Sequence, residues 1–375
     1  MVFNMNINIE YVVSAMPIEV KIGQLMLASL DGDCLDGDAL DFLTECKVGG
    51  VIHFSNNVSG RSQAADFNAA LAEAIEGITG VPPLIGIDHE GGRVMRIRDG
   101  SVTAFPSAID VAAGGDAFVA EQVGAAMAGE LRYMGFHINF APVLDVQNNP
   151  RNTVIGPRSY GSEPARVAEF GAAMARGLQS GGIIACGKHF PGHGDTDVDS
   201  HFGLPRVDKP LGALEEMELI PFKAAIDAGI QAIMTSHILF PQIEPDPVPA
   251  TMSPRVLQGL LRERLGFGGL IVSDGMHMDA ISKEYGITKG CVEAIRAGVD
   301  LLCVGTAGEG HYQEQRDCYY ALLEAAQNGY IPMERIDEAV THVLRAKMWV
   351  MSIPSTPPDW DANKALAEAI LSPRR

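Results

Sequence analysis

The chain has 375 residues, 47% of them hydrophobic and 20% charged, the profile of a globular protein with a sizeable core and not of a disordered or fibrous one. A formal net charge of −19 with no lysine- or arginine-rich run argues against nucleic acid as a partner, because a phosphate backbone demands clustered cations. No apolar run approaches the length of a bilayer span, so a membrane partner is not expected either. From the N-terminus onward, short apolar runs alternate with longer amphipathic ones. Strands are expected near 22–29, 50–54, 84–88, 137–142, 183–189, 231–237, 270–274 and 300–305. Helices are expected at 62–76, 116–134, 164–179, 210–228, 254–265, 279–297, 313–328 and 334–349. One of these shows an apolar stripe at helical spacing through Val167, Phe170, Gly171, Met174 and Leu178.

Strands alternating with helices in this way predict an α/β fold, a single (β/α)8 TIM-type barrel. The expected organisation is an N-terminal extension over 1–20, the barrel over 21–352 and a peripheral tail over 353–375. A doubly wound sheet is the competing architecture, but its glycine-rich dinucleotide turn is missing, and Gly305-Thr306-Ala307-Gly308-Glu309-Gly310 has the wrong spacing for one. The six cysteines form no CxxC pair, and Cys186 and Cys303 sit in apolar strand-like runs, as reduced core cysteines do. Residues 1–17 lack the basic start of a secretion signal. A cytoplasmic monomer is the simplest expectation.

A barrel places its chemistry at the C-terminal ends of its strands. Those ends carry Asp88 and Glu90, Asp145, Lys188 and His189, Ser236 and His237, and Asp274. The densest stretch runs from Lys188 to His201, with three histidines, three aspartates and a lysine on a segment that Pro191, Gly192 and Gly194 keep from being a helix. His189 and His193 have the spacing of a helical zinc pair, but the proline and glycine between them remove the helix, so no metal and no cofactor is expected. His53, His137, His277 and His342 read as structural or surface histidines. Gly91 and Gly92 allow a sharp turn and a close backbone approach to a ligand.

Five segments together resemble glycoside hydrolase family 3, in particular its single-domain β-N-acetylglucosaminidases: IGIDHEGGRVMRI (85–97), NFAPVLDV (139–146), VIGPRSYG (154–161), KHFPGHGDTDVDSH (188–201) and LIVSDGMHMDAI (270–281). The resemblance implies that Asp274 is a nucleophile forming a covalent glycosyl-enzyme. It implies that His201 is the acid/base, oriented by Asp199, and that Asp88, Arg96, Arg158, Lys188 and His189 hold the sugar. Those roles suit retaining hydrolysis, which needs a carboxylate on one face of the anomeric carbon and a proton donor at the leaving oxygen. Lys188 and Arg158 are expected to favour ionised Asp274. His89, Met95 and Gly275 depart from the family pattern and bear on substrate preference.

The expectation from this resemblance is a retaining exo-β-N-acetylglucosaminidase. Its substrate would be a small carbohydrate, an N-acetylglucosaminyl muropeptide from the cell wall. A phosphorylase using the same residues is the first alternative, since a neutral imidazole would not repel phosphate as a carboxylate would. A non-catalytic sugar-binding barrel is the second.

Overall fold

Strand formation here follows from runs that are apolar on both faces, as a parallel sheet covered by helices requires. The computed structural model describes residues 8–196, 203–308 and 310–372. Its main sheet comprises β1 (Met26–Ala28), β2 (Gly50–His53), β3 (Leu84–Ile87), β4 (Ile138–Asn139), β5 (Ile184–Phe190), β6 (Ala232–Thr235), β7 (Leu270–Gly275) and β8 (Leu301–Cys303). All neighbours are parallel, and β8 pairs back onto β1 to close the barrel, with Met26 opposite Leu302. The fold class is therefore the expected (β/α)8 barrel. In this ring β3 and β7 lie diametrically opposite, four strands apart either way.

Alternate residues serve two cores. Leu27, Ile52, Leu84, Ile138, Ile184, Met234, Val272 and Leu301 fill the barrel, while Val51, Ile85, Ile87, Ile233 and Ile271 face the surrounding helices. Gly86 makes room inside the barrel, since a Cβ there would lie 3.0 Å from the Phe140 ring. Val343, Ala346 and Val350 of the helix Met333–Ser352 join the inner cluster. At the entry end of the strands, Asp300 accepts from Arg262, Arg335 and the backbone of Ile271. Lys347 is buried there too, donating to Gln24 Oε1 at 2.6 Å and Gly49 O at 2.7 Å.

Several elements differ from the expected ones. Residues 22–24 end a helix, Ile18–Gln24, so β1 starts later than its apolar run. The expected helices over 210–228 and 279–297 are each broken in two, giving Leu211–Glu215 with Leu219–Asp227 and Asp279–Ser282 with Ile287–Ala297. Helices Ile9–Ala15, Gly37–Cys46 and Trp360–Leu371 were not expected. The last packs against Phe118–Tyr133, where Asn363 Nδ2 donates to Glu130 Oε1 at 2.9 Å. Among the described residues, no helix is long and apolar enough to cross a membrane.

Candidate active site

A cavity of about 260 Å³ opens at the C-terminal ends of the strands, close to the lower limit for small-molecule sites. Its polar wall is built by β3, β5 and the segments that follow β3 and β4. Asp88 leaves β3 and spans two cations: Lys188 Nζ at 2.8 Å from Oδ1 and Arg96 Nη2 at 2.7 Å from Oδ2. Glu90, two residues on, accepts a two-pronged pair from Arg158, with Nε and Nη2 each at 2.8 Å. It also takes Lys188 Nζ at 2.7 Å. Lys188, its side chain 3% exposed, is thus shared by two carboxylates.

These pairs fix the charge states. Burial raises the Asp88 carboxyl, but Lys188 and Arg96 outweigh it and hold the group well below the usual carboxylate range. Glu90 follows the same balance, with burial opposed by Arg158 and Lys188, and comes down to about 2. Burial lowers the Lys188 ammonium, yet Asp88 and Glu90 leave it raised. The site therefore holds fixed ionic donors and acceptors, the equipment for gripping the hydroxyls of a polar ligand.

A second unit sits beside the first. Asp145, fully buried after β4, accepts the His189 Nδ1–H at 2.6 Å and the backbone N–H of His193 at 2.6 Å. With Nδ1 so engaged, His189 presents Nε2, which lies 3.5 Å from Arg158 Nη2. His193 packs its ring against that of His189, with centroids 5.6 Å apart, and its own Nδ1 lies 2.8 Å from Thr196 Oγ1. Burial, then His189, bring the His193 ring down to about 4, so it is neutral at ordinary pH.

Asp274 enters from the opposite strand. Leu270, Ile271, Val272 and Ser273 are buried, and the carboxylate emerges at the cavity with Oδ1 accepting the Gly275 N–H at 2.8 Å. His237 lies outside the cavity lining. It is fully buried, with Nε2 3.0 Å from the Gly275 carbonyl and Nδ1 2.8 Å from Thr251 Oγ1, so it steadies the turn that carries Asp274.

The structure brings together Asp88, Arg96, Arg158, Lys188, His189 and Asp274, all on one cavity. Asp199 and His201 lie outside the described residues. Lys188 and Arg158 have Asp88 and Glu90 as ion-pair partners, and with Arg96 the array sets three cations against two carboxylates. Three expectations need correction. Gly91 and Gly92, with φ of 97° and 56°, pack on residues 105–107 and do not line this cavity: a Cβ on Gly91 would lie 2.2 Å from Pro106 O. His277 lines the cavity, whereas His53 and His137 are buried structural groups. His89 is buried against Phe105 and Met95 lies away from this cavity, so of the three departures only Gly275 lines it. Glu90 and Asp145 were visible as strand-end acids, but their partners lie 68 and 44 residues away and no spacing rule joins them. No group of three or more His, Cys, Asp or Glu among the described residues is arranged to hold a metal ion.

A family model, the glycosyl hydrolase family 3 N-terminal domain, matches residues 17–346. The chain belongs to glycoside hydrolase family 3. As a member of that family it is a glycoside hydrolase, acting on O-glycosyl bonds. A β-hexosaminidase of Thiobacillus denitrificans is 38% identical over 290 residues, 76% of this chain and 77% of that protein. β-Hexosaminidase A of Pseudoalteromonas piscicida is 34% identical over 84% of this chain, which spans only 57% of that longer relative. Among solved structures, a family 3 β-N-acetylglucosaminidase from a Paenibacillus species superposes with a TM-score of 0.89 at 41% identity, covering 95% of this chain and 68% of that one. NagZ from Neisseria gonorrhoeae, in complex with N-trifluoroacetyl-D-glucosamine, gives 0.73 at 30% identity over 93% of this chain and 98% of its own.

Proposed function

We propose that this family 3 member is a retaining exo-β-N-acetylglucosaminidase that removes terminal β-linked N-acetylglucosamine from cell-wall muropeptides. The observation that carries the reading is one cavity with Asp274 on one side and the Asp88–Arg96–Lys188–Glu90–Arg158 array on the other. Similarity to β-hexosaminidases and β-N-acetylglucosaminidases supports the choice of sugar. Free cysteines, five of the six buried, suit a reducing, cytoplasmic setting.

In the proposed reaction, the array holds the ring hydroxyls while Asp274 attacks the anomeric carbon. The bond to the leaving oxygen breaks as that oxygen takes a proton from His201, whose imidazolium Asp199 supports. Water then surrenders a proton to His201 and attacks the same carbon, freeing Asp274. The roles of Asp199 and His201 rest on the sequence resemblance alone.

Hydrolysis of nitrophenyl N-acetyl-β-glucosaminide beside nitrophenyl β-glucoside tests the reading. The first should be the better substrate by kcat/KM. A preference for the glucoside with measurable turnover would sink the choice of sugar, and sugar 1-phosphate formed in phosphate buffer would replace hydrolysis with phosphorolysis.

A further inference from the structure

Asp145 does not line the cavity, yet it is fully buried directly behind His189, which does. Its Oδ1 accepts two backbone N–H groups, from His189 at 3.2 Å and from His193 at 2.6 Å. Its Oδ2 faces the His189 ring, 2.6 Å from Nδ1. Burial raises the Asp145 carboxyl, but His189 and His193 outweigh it and leave the group below its usual range. An ionised carboxylate only accepts, so Nδ1 carries a proton. The other ring nitrogen is constrained from the opposite side. Arg158 Nη2 lies 3.5 Å from His189 Nε2, and a guanidinium only donates. One N–H of Nη2 meets Glu90 Oε1 at 2.8 Å, leaving the second for the imidazole. A proton on Nε2 would set two donors against each other across that gap. The neutral ring with Nε2 bare fits both neighbours.

We propose that Asp145 is a positioning residue: it holds the His189 proton on Nδ1, so that Nε2 stays bare and Arg158 rests against it. The inference rests on the proposed N-acetylglucosaminidase reading, in which Arg158 helps to grip the sugar. Arg158 stands on a short 3₁₀ turn, Gly156–Arg158, and not on a strand, so side-chain neighbours have to fix its guanidinium. Glu90 holds one edge of the group, and the imidazole stops it turning about that pair. Asp145 never touches the sugar in this scheme. Its effect passes through the ring and then through the guanidinium.

Asparagine tests the point because it keeps the shape and reverses the hydrogen-bonding sense on one side. In Asp145→Asn the amide oxygen keeps the two backbone N–H groups, and the amide nitrogen then faces His189 Nδ1. Both cannot donate, so the ring proton passes through solvent from Nδ1 to Nε2, where it confronts Arg158. Nitrogen NMR on protein labelled only in its histidines reads this directly, since protonated and bare ring nitrogens resonate far apart. The His189 signals are those lost in His189→Gln. The wild type should show a protonated Nδ1 and a bare Nε2, and Asp145→Asn the reverse. KM for nitrophenyl N-acetyl-β-glucosaminide should rise about tenfold in Asp145→Asn, the scale of one or two hydrogen bonds, with kcat within about threefold. In the His189→Gln background the same substitution should cost no more than about twofold.

A wild-type spectrum with Nε2 protonated would overturn the proposal without any variant, so it stays refutable even if the melting temperature of Asp145→Asn shows a misfolded protein. A full Asp145→Asn penalty in the His189→Gln background would also overturn it, because the carboxylate would then act by bracing the backbone of residues 189–193. A switched proton with an unchanged KM would do the same. Calorimetric affinity for N-acetylglucosamine separates this role from the reaction itself. A wild type that cleaves neither nitrophenyl glycoside, yet binds the sugar with the same coupled losses across the variants, would remove the proposed reaction and leave Asp145 in its place.

Discussion

The ionic array depends heavily on Glu90, because among the described residues it is the carboxylate that pairs with Arg158, and it shares Lys188 with Asp88. Replacing Glu90 by glutamine leaves a guanidinium buried without its counter-charge. The expected result is a loss of about 3 kcal/mol of stability at neutral pH, read by urea unfolding, with KM raised about tenfold or more. The acid limb offers a second reading. A carboxylate ordinarily titrating near 4.3 that is held at about 2 contributes stability above its unfolded value and loses it as pH falls toward 2. Glu90→Gln should therefore flatten the fall in stability across that window; an unchanged acid limb would show that the pair adds nothing. At Asp274 the expectation is chemical. Asp274→Ala should lower turnover on the order of 10³-fold or more on every substrate, because the proposed covalent intermediate then cannot form, and a 2-fluoro glycosyl inhibitor should leave no adduct. Near-normal rates in that variant would mean the nucleophile is another residue.

At the level of elements, the site is only as exact as the helices that brace its strands. Helices Phe118–Tyr133 and Pro164–Ser180, which flank β4 and β5 in the chain, pack so closely that Gly124 and Gly177 let each backbone touch the other. A Cβ on Gly177 would lie 2.1 Å from Glu121 O, and one on Gly124 2.6 Å from Met174 O. Gly177→Ala must push the helices apart, and a melting temperature lower by several degrees is expected, equivalent to about 1–3 kcal/mol. An unshifted melting temperature would show that the contact is soft. These glycines illustrate what the sequence conceals. Eight strands were legible because their apolar runs bury on both faces, and Asp88, Lys188 and Asp274 were legible because strand ends in a barrel point at its mouth, whereas Arg96 was legible only through the family resemblance. The start of β1 was not, since Lys21 and Gln24 turn inward on a short helix against the usual rule for polar residues. Nor was His277, whose ring takes the space that a side chain at Gly275 would fill.

Across the whole molecule, chemistry and stability occupy opposite ends of the strands. The entry end holds Lys347, whose ammonium is brought down to about 7 by burial. Folding therefore disfavours its charged form, and the penalty, full below pH 7, lifts as pH rises from 7 to the unfolded value near 10.4. Stability should climb by up to several kcal/mol over that interval, and Lys347→Met should abolish the climb while leaving glycosidase activity intact. Denaturant titrations at pH 7 and 9 decide the point. A wild type whose stability does not change between them would mean the lysine keeps its charge through its bonds to Gln24 and Gly49.

Opposition of β3 and β7 has one more consequence, for the life of the chain and not for its resting geometry. Every group of the gripping array lies between Asp88 and His193, whereas Asp274 and His277 arrive some eighty residues later. During synthesis the ionic array is complete in sequence well before the proposed nucleophile is made. In the closed ring the two halves face each other across the mouth, joined through β4 to β6 on one side and through β8, β1 and β2 on the other. Turnover is therefore expected to need both arcs of the ring in place.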